Sequence, residues 1–443
     1  MSSGLINGFS KLSKKEKISW LSEQLPGIAE ETVRVIEDSW STCINFQKTL
    51  DGFSENTIAN YHLPYGLAPN FIINGQAYCV PMVIEESSVV AAASAAAKYW
   101  MDKGGFHAEV VSSKKIGQVH FYWTGDYPKL KQKFDDLRTH LLTAIDSISA
   151  NMVKRGGGVL DIELLDMRAT EPDYFQLFVS FDTCDSMGAN FINSILERFA
   201  QTLCNWAKEQ EDFTETEKQV NVIMAILSNY TPECLVRAWV ECPIEQLGSY
   251  DELSAHDLAD KFHKAIRIAT IDPYRATTHN KGIFNGIDAV VLATGNDFRA
   301  VEACGHAYAA RSGQYRSLSS CRINENVFRF EIEIPLALGT VGGLTSLHPL
   351  AKLSLQILDN PSAQQLMQII AVVGLAQNFG AVRSLVTSGI QKGHMKMHLG
   401  NIFQQLGASE AETQAGKIFF EDKTVSYSAV RDYLHHSRMQ ITA

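Results

Sequence analysis

The sequence predicts an α+β protein in which a small ferredoxin-like unit, the split βαβ fold, is inserted into a large mixed α/β domain. The chain has 443 residues, 45% of them hydrophobic, so it exceeds the usual size of one domain and can bury more than one core. From about residue 110, the apolar pattern predicts strand, helix, strand, strand, helix and strand, which is the split βαβ order. The pattern changes on both sides of this stretch, which indicates one domain interrupted by another.

The first segment combines helices with a β-hairpin. Residues 15–40 are predicted to be helical. In NFIINGQAYCVPMVIEES, Asn74-Gly75 lies between two apolar strands, and this dipeptide favours the positive φ angles of a hairpin turn. The alanine-rich stretch SSVVAAASAAAKYW then starts a helix that Ser87 or Ser88 can cap, and its small side chains permit close packing against another backbone.

The inserted unit begins with a strand at GQVHFYW, followed by a helix over residues 127–149 and a break at Gly156, Gly157 and Gly158. Strands at VLDIELLDM and YFQLFVSFD, a helix from Gly188 to about Glu209, and apolar VNVIMAIL complete it. This order predicts an antiparallel sheet with both helices on one face.

The rest of the chain returns to the large domain, for which we expect residues 1–110 and 222–385, with residues 111–221 as the insertion. The uncharged run from Asn360 to Val382 contains glutamines and glycine, so it fits a buried helix better than a membrane span. The last fifty residues, after Gly393, are predicted to be short polar helices, and their composition favours a surface bundle over a mobile lid.

Composition excludes some function classes. The net charge of −10 and the pI near 5.7 argue against a general nucleic-acid binder, which needs a basic face, although local Lys and Arg can still hold an anion. The eight cysteines show no CxxC pair and no metal-ligand spacing, which suits reduced thiols in the cytosol. The N-terminus lacks the apolar core of a signal peptide. We therefore expect a cytoplasmic protein without a membrane anchor or a metal site.

The stretch FDTCDSMGANFINSILE is a candidate seat for an anionic ligand. A strand ends at Asp182, whose carboxylate can accept from two ribose hydroxyls, and Ser186, Gly188 and Ala189 are small enough for a ligand to approach the backbone. The helix that follows presents free N–H groups to an anion. A plain helix start capped by Asp185 or Ser186 explains the same residues equally well. No GxGxxG occurs, so a Rossmann nucleotide site is not predicted.

Two adjacent carboxylates, Glu85 and Glu86, lie between an apolar strand and an apolar helix. Desolvation at such a place disfavours the charged form of a carboxyl group, which makes one of them a candidate proton donor near neutral pH. A solvated pair at the helix start, stabilised by the helix dipole, is an equally good interpretation.

Charged residues also interrupt the apolar stretch DPYRATTHNKGIFNGIDAVVLATGNDFRA. We interpret Lys281 as lying at a glycine-flanked turn and Asp297 as lying at the carboxyl end of a strand, AVVLATG. In a shared cleft the ammonium would stabilise a developing alkoxide and the aspartate would orient it. A buried salt bridge is an equally weighted alternative.

Further on, His394 and His398 have a spacing that can chelate zinc, but the glutamate of HExxH is missing, which favours a proton donor instead.

Taken together, five stretches closely resemble the hydroxymethylglutaryl-coenzyme A reductases, specifically the soluble class II bacterial type. They are VPMVIEESSVVAAAS, DSMGANFINSILE, DPYRATTHNKGIFNGIDAVVLATGNDFRAVEACGHAYAARSG, LALGTVGGLTSLHPLAKLS and GIQKGHMKMH. They follow one order over nearly the whole chain, and several are long and idiosyncratic.

The resemblance implies a four-electron reduction of hydroxymethylglutaryl-CoA to mevalonate and free CoA, with two hydrides from NADH or NADPH and a mevaldehyde stage; some bacteria run the reaction backwards. By motif position, the implied catalytic residues are Glu86, Lys281, Asp297 and His394. Lys281 would stabilise the oxyanion, and His394 would protonate the departing thiolate. Glu86 would donate to the aldehyde oxygen, and Asp297, close to both Lys281 and Glu86, would tune their titration.

The resemblance also implies binding residues. Those for the substrate are Ser88 and Arg275 at the acyl end, Asn285 in the catalytic network, and Lys11 at a CoA phosphate. Those for the cofactor are Asp182, Asp185, Met187, Gly188 and Asn190. The Asp182 carboxylate would repel the 2′-phosphate of NADPH, and neither Thr183 nor Cys184 is cationic, so NADH is slightly favoured. Lys154 or Arg155 would reverse this preference by reaching the ribose.

The implied architecture is a large domain, a nicotinamide-binding insertion and a C-terminal flap of residues 386–443, with the active site between the subunits of a homodimer or higher oligomer. SENTIAN replaces the family's ENVIG, so Ala59 stands for a glycine.

Two other function classes remain: a CoA-thioester hydrolase or acyltransferase using Cys79 or His394, and a non-catalytic CoA-binding protein. Retention of all four catalytic residues argues against the latter.

Overall fold

The computed structural model describes residues 4–387, 389, 399–420, 423 and 425–441, and it confirms a mixed α+β protein. The ten strands of this part are β1 (Tyr65–Ile73), β2 (Gln76–Val83), β3 (His107–Val110), β4 (Lys115–Tyr122), β5 (Gly158–Asp166), β6 (Tyr174–Asp182), β7 (Asn221–Leu227), β8 (Leu235–Pro243), β9 (Ser319–Asn324) and β10 (Val327–Pro335). They form one two-stranded sheet and two four-stranded sheets.

Helices surround these sheets. Up to residue 387 they are α1 (Lys14–Gln24), α2 (Ala29–Asp38), α3 (Ile44–Asp51), α4 (Val89–Met101), α5 (Tyr127–Gln132), α6 (Phe134–Ala144), α7 (Asp146–Val153), α8 (Ala189–Glu209), α9 (Ala255–Ile271), α10 (Pro273–Ala293), α11 (Phe298–Ala309), α12 (Leu344–Leu347), α13 (Pro349–Ile357) and α14 (Ala363–Val386). Short 3-10 helices occupy Phe9–Lys11, Pro26–Ile28 and Ile244–Leu247. The stretch predicted to be helical, residues 15–40, contains α1 and α2, and α1 ends before Pro26 because proline cannot continue it.

The predicted hairpin is confirmed: β1 and β2 pair antiparallel across Asn74-Gly75, whose φ angles are 50° and 84°. Helix α4 follows at once. Ser88 occupies its N-cap position, but at a φ of 80° its hydroxyl makes no capping hydrogen bond, so the predicted serine cap is wrong. The backbone at Ser88 is therefore in the left-handed region that favours glycine.

The sheet of the insertion has the order β5-β6-β4-β7, and all its strands are antiparallel. Helices α5 to α8 share one core with it, in which Leu141 and Phe199 meet Val119 and Phe175. The predicted helix at residues 127–149 is three short helices. Strand β7 pairs with β4, so the sheet continues to Leu227, beyond the boundary expected at residue 221.

The four-stranded sheet of the large domain has the order β3-β8-β10-β9, and its buried side chains belong to the core of that domain. Helix α14 runs through this core, as the uncharged run predicted. By length and composition it is the one helix among the described residues that could cross a membrane, but 67% of its most apolar stretch is buried inside the fold. The C-terminal helices Glu410–Phe419 and Tyr427–Ile441, with helical residues 399–405, form a small core of their own around Phe403.

Helix α10 corrects the interpretation of residues 272–297, since the predicted turn at Lys281 and residues 289–293 of the predicted strand AVVLATG are helical. The Asp272 carboxylate caps the helix by accepting from Tyr274 N at 3.1 Å, and Pro273 occupies its first turn. Gly286 serves packing, since a Cβ there would lie 2.8 Å from the carbonyl oxygen of Val373 in α14. Glycine thus lets the two helices approach backbone to backbone.

Gly286→Ala should destabilise the protein by about 1–3 kcal/mol, because the new methyl group would overlap Val373 and Gln377. Gly282→Ala is the matched control on the same helix: nothing lies within 4 Å of its Cβ position, so it should stabilise by about 0.5–1 kcal/mol. Urea unfolding of both variants measures the difference. Equal effects of the two substitutions would contradict this packing.

Candidate active site

A single ion pair joins two of the predicted catalytic residues. Lys281 Nζ lies 3.1 Å from Glu86 Oε2, although 195 residues separate them in the chain. Glu86 lies between β2 and α4, and Lys281 lies near the middle of α10. Their side chains are 40% and 62% exposed, so within one chain this glutamate is open to solvent rather than enclosed by apolar groups. The pair combines a proton-donating or accepting group with a fixed cation.

Three predicted substrate-binding residues lie on the same two elements. Ser88 follows Glu86 by two residues, and its hydroxyl is free of a capping role. Asn285 lies one helical turn after Lys281, half-buried on the same face of α10. Arg275, in the first turn, is also half-buried, and this burial lowers the pKa of its guanidinium. Because no carboxylate pairs with it in the part of the chain that the structure describes, Arg275 is suited to bind an anionic ligand.

Asp297 lies elsewhere. Its carboxylate caps α11, accepting from the backbone N–H groups of Arg299 and Ala300 at 3.0 and 3.2 Å, and pairs with the Arg299 guanidinium at 2.7 Å. From Lys281 to the last residue of α10, the helix rises about 18 Å. Within one chain, therefore, the structure does not bring Asp297 to Lys281 and Glu86, contrary to the expected shared cleft.

Asp297 instead adjoins the candidate cofactor loop, residues 182–188. The neighbouring Asn296 accepts from Gly339 N at 2.9 Å. Gly339 packs so closely on the loop that a Cβ there would overlap the backbone nitrogen of Met187. Met187 and Ala300, in the first turn of α11, line one small cavity. One chain thus carries two separate groups of predicted residues, Glu86 with Lys281 and Asp297 with the cofactor loop.

The loop is held by its own polar groups. Asp182 accepts from Cys184 N at 2.7 Å and from Ser113 Oγ at 3.2 Å. Asp185 accepts from Ala363 N at 2.7 Å, which ties the loop to the start of α14. The alternative that Asp185 or Ser186 caps α8 is therefore wrong.

The N-terminal end of α8 has no side-chain cap. Its N-cap is Gly188 at a φ of 90°, where a Cβ would overlap the Thr183 side chain, so the glycine serves the loop itself. Asn190 is exposed in the first turn. The first N–H groups of a 21-residue helix thus face the loop without a side-chain acceptor.

Sequence reasoning missed Lys115, which lies beneath this loop. It is only 5% exposed, and its ammonium donates to Thr183 Oγ1 at 2.6 Å and to the carbonyl of Ser186 at 2.8 Å. Burial lowers its pKa, while Cys234 and the carboxylates Asp182 and Asp185 act in the opposite direction. A buried cation below a loop at a helix N-terminus favours an anionic ligand above it.

A second missed group fixes the buried side of α10. His279 Nε2 lies 2.7 Å from Ser319 Oγ, which donates to Asn378 Oδ1 at 2.8 Å. Burial, with a smaller effect of Arg275, lowers the pKa of His279 to about 3, so the imidazole is neutral. The adjacent Asn280 accepts from Leu318 N at 3.0 Å. These bonds set the rotation of α10 and so direct Lys281 outwards.

The remaining predicted residues are not joined to these groups. Lys11 is exposed at the end of its 3-10 helix. His394 and His398 lie outside the described residues. Among the described residues, no three His, Cys, Asp or Glu side chains are grouped to hold a metal ion.

Comparison with known proteins agrees with this set of motifs. Residues 13–399 match the sequence profile of the Hydroxymethylglutaryl-coenzyme A reductase family. The chain is 35% identical over 440 residues to 3-hydroxy-3-methylglutaryl-coenzyme A reductase of Archaeoglobus fulgidus, covering 98% of this chain and 95% of that protein. It is 36% identical over 352 residues to the probable enzyme of Borreliella burgdorferi, covering 80% and 78%.

Solved structures agree as well. A structure of the class II enzyme from Streptococcus pneumoniae bound to NADPH in open conformations is similar, with a TM-score of 0.71 and 39% identity over 86% of this chain and 99% of that one. Another structure of the S. pneumoniae enzyme has a TM-score of 0.71 and 38% identity over 97% and 99%.

The neutral buried His279 predicts a pH-dependent stability. Below about pH 6.5 the unfolded chain binds a proton at this imidazole that the folded chain does not bind, so the free energy of unfolding falls as pH falls towards about 3. Between pH 7 and pH 5 the loss from this group is about 2 kcal/mol. His279→Gln should remove that part of the pH dependence in urea unfolding, while His256→Gln, at an exposed histidine, should leave it in place. An unchanged pH dependence in His279→Gln would contradict a neutral buried imidazole.

Proposed function

This chain belongs to the hydroxymethylglutaryl-coenzyme A reductase family, and we propose that it acts as an NAD(P)-dependent oxidoreductase that converts hydroxymethylglutaryl-CoA to mevalonate and CoA, or the reverse. The observation that carries the proposal is the 3.1 Å contact between Glu86 and Lys281. The cation can stabilise the negative charge that a substrate carbonyl oxygen gains during hydride transfer. The adjacent carboxyl group can then supply a proton to that oxygen.

Lys281 stabilises the oxygen of the thioester carbonyl as it becomes an oxyanion. One well-placed donor of this kind contributes about 3–4 kcal/mol to the transition state. The same ammonium serves the aldehyde oxygen in the second reduction, and Glu86, 3.1 Å from it, supplies the proton. Asn285, one turn further along the same face, completes the polar edge of this group.

Arg275 and Ser88 are proposed to hold the acyl end of the substrate. A half-buried guanidinium without a carboxylate partner in the described chain binds a carboxylate well, because its donors form parallel hydrogen bonds. The strained Ser88 keeps a hydroxyl free two residues from Glu86. Lys11 is proposed to meet a CoA phosphate.

The inserted unit is proposed to bind the nicotinamide cofactor, which supplies the hydride when bound. The residues fit an anionic dinucleotide: α8 begins without a side-chain cap, and Lys115 is buried as a cation below the loop that precedes it. Met187, Gly188 and Asn190 line the approach to this end of α8. Since β7 belongs to the sheet, we propose residues 111–227 for this unit and residues 1–110 and 228–385 for the large domain.

The separation of the two groups of residues supports a homodimer. In a two-fold dimer, Asp297 and the cofactor loop of one subunit can face Glu86 and Lys281 of the other, and both sites are then completed at once. We further propose that residues 386–443 act as a flap whose His394 protonates the departing CoA thiolate. Eight free thiols agree with a cytoplasmic location.

A CoA-thioester hydrolase is the alternative function. It would need an activated nucleophile, and within the described residues Cys79 has no histidine or carboxylate hydrogen-bonded to its thiol. Thiol release from hydroxymethylglutaryl-CoA without loss of absorbance at 340 nm would favour this alternative.

Lys281→Ala should lower the rate of both reductions by about 100-fold or more, because both oxyanions need the same donor. The measurement is NADH and NADPH oxidation at 340 nm with hydroxymethylglutaryl-CoA and, separately, with mevaldehyde. Lys264→Ala, at an exposed lysine on α9 paired to Asp260, is the matched control and should keep full activity. Circular dichroism confirms that both variants are folded. Retention of a tenth of the wild-type activity in Lys281→Ala would overturn the assignment.

A further inference from the structure

Two cationic side chains flank the cofactor loop where β5 begins. Lys154 and Arg155 follow the last residue of α7 and are both exposed. Within the described part of the chain, neither has an ion pair with an acidic side chain. Lys114, a half-buried lysine next to Lys115, is by contrast paired with Glu233 at 3.0 Å. Two uncommitted positive charges are therefore available at this place.

The backbone of Arg155 is fixed against the loop. Gly158 pairs with Asp182 in the register of β5 and β6, and a Cβ at Gly157 would lie 2.6 Å from the carbonyl oxygen of Asp182 and 2.9 Å from Cys184 Sγ. The Cys184 thiol donates to the carbonyl of Arg155 at 3.3 Å. Gly157 thus lets this segment pack directly on the loop, which brings the backbone of Arg155 to Cys184, two residues after Asp182.

The charges agree with this geometry. Burial, together with Asp182 and Asp185, raises the pKa of the Cys184 thiol, whereas Arg155 and Lys115 act in the opposite direction. The guanidinium is therefore close enough to the loop to act on its electrostatics. The Asp182 carboxylate, for its part, already accepts from Cys184 N and Ser113 Oγ, so the loop holds it without a ribose hydroxyl.

We propose that Arg155, assisted by Lys154, binds the 2′-phosphate of NADPH and gives this chain a preference for NADPH over NADH. The inference rests on the proposed function, because it takes Asp182 to mark the ribose end of the cofactor site. A guanidinium matches a phosphate with parallel charge-assisted hydrogen bonds, and it offsets the negative charge of Asp182. The preference is opposite to the one expected from Asp182 alone.

A purely structural role for these cations makes a different prediction. Positive side chains at the C-terminal end of a helix stabilise its dipole, and α7 ends at Val153. Loss of that stabilisation would affect NADH and NADPH equally, because it acts on the fold and not on the phosphate. The ratio of the two cofactors therefore separates the two roles.

The test is kcat/KM for NADPH and for NADH in wild type, Arg155→Ala and Lys154→Ala. Wild type should favour NADPH by about tenfold or more, and Arg155→Ala should lose about tenfold with NADPH, mainly through KM, and less than about twofold with NADH. Lys154→Ala should show a smaller loss confined to NADPH. Arg198→Ala is the matched control, since it removes an exposed arginine on α8 that lies about 15 Å from the start of this helix at the cofactor loop.

Equal losses with both cofactors in Arg155→Ala, or a wild-type preference for NADH, would overturn the inference. Calorimetric titration with 2′,5′-ADP and with 5′-AMP keeps the test independent of turnover. If wild type oxidises neither cofactor with hydroxymethylglutaryl-CoA, the proposed function fails, and the titration alone decides. Tighter binding of 2′,5′-ADP than of 5′-AMP that is lost in Arg155→Ala then supports the phosphate site, and equal binding in both proteins overturns it.

Discussion

The length and rigidity of α10 constrain the whole arrangement of reactive groups. Lys281 lies near the middle of this helix and Asp297 follows its end, so a regular helix keeps the two side chains apart. The helix cannot bend to join them at low cost, because Gly286 brings it into close contact with α14 and the His279 network fixes its buried face. Lys281 therefore pairs with Glu86 and not with Asp297, and the proposed dimer follows from this distance between Lys281 and Asp297.

Two incomplete groups in one chain explain why the cofactor unit and the cation that meets the substrate can lie on different subunits. Within the loop at residues 182–188, Asp185 accepts from Ala363 N. Gly339 packs on the same loop and donates to Asn296, the neighbour of Asp297, so the inserted unit is attached to the same end of the large domain as Asp297. Glu86 and Lys281 form the second group, which is separate from Asp297 and the cofactor loop. In a two-fold dimer, the group with Asp297 on one subunit can face the group with Lys281 on the other. Two identical complete sites then form from two incomplete ones.

Much of the fold could be predicted from local patterns. Alternating apolar residues predicted the inserted sheet, Asn74-Gly75 predicted the turn of the β1–β2 hairpin in the first segment, and the uncharged run predicted α14. Helix α10 was predicted wrongly, because Gly282 and Gly286 are typical of turns and the run AVVLATG is typical of a strand. Gly286 serves contact with α14, and such a tertiary reason is invisible in a local pattern.

The site shows the same limit. The pairing of Glu86 with Lys281 could be predicted only from the family resemblance, since 195 residues separate them. Lys115 and His279 gave no signal, because a single lysine or histidine becomes notable only when the fold buries it.

The most direct measurement is subunit complementation between Lys281→Ala and Asp297→Asn, where asparagine preserves the helix cap. Each variant alone should be nearly inactive, and refolding or co-expressing equal amounts should restore about a quarter of wild-type activity, since half of the dimers are mixed and each mixed dimer has one intact site. A mixture as inactive as its parents would show that Lys281 and Asp297 act within one chain.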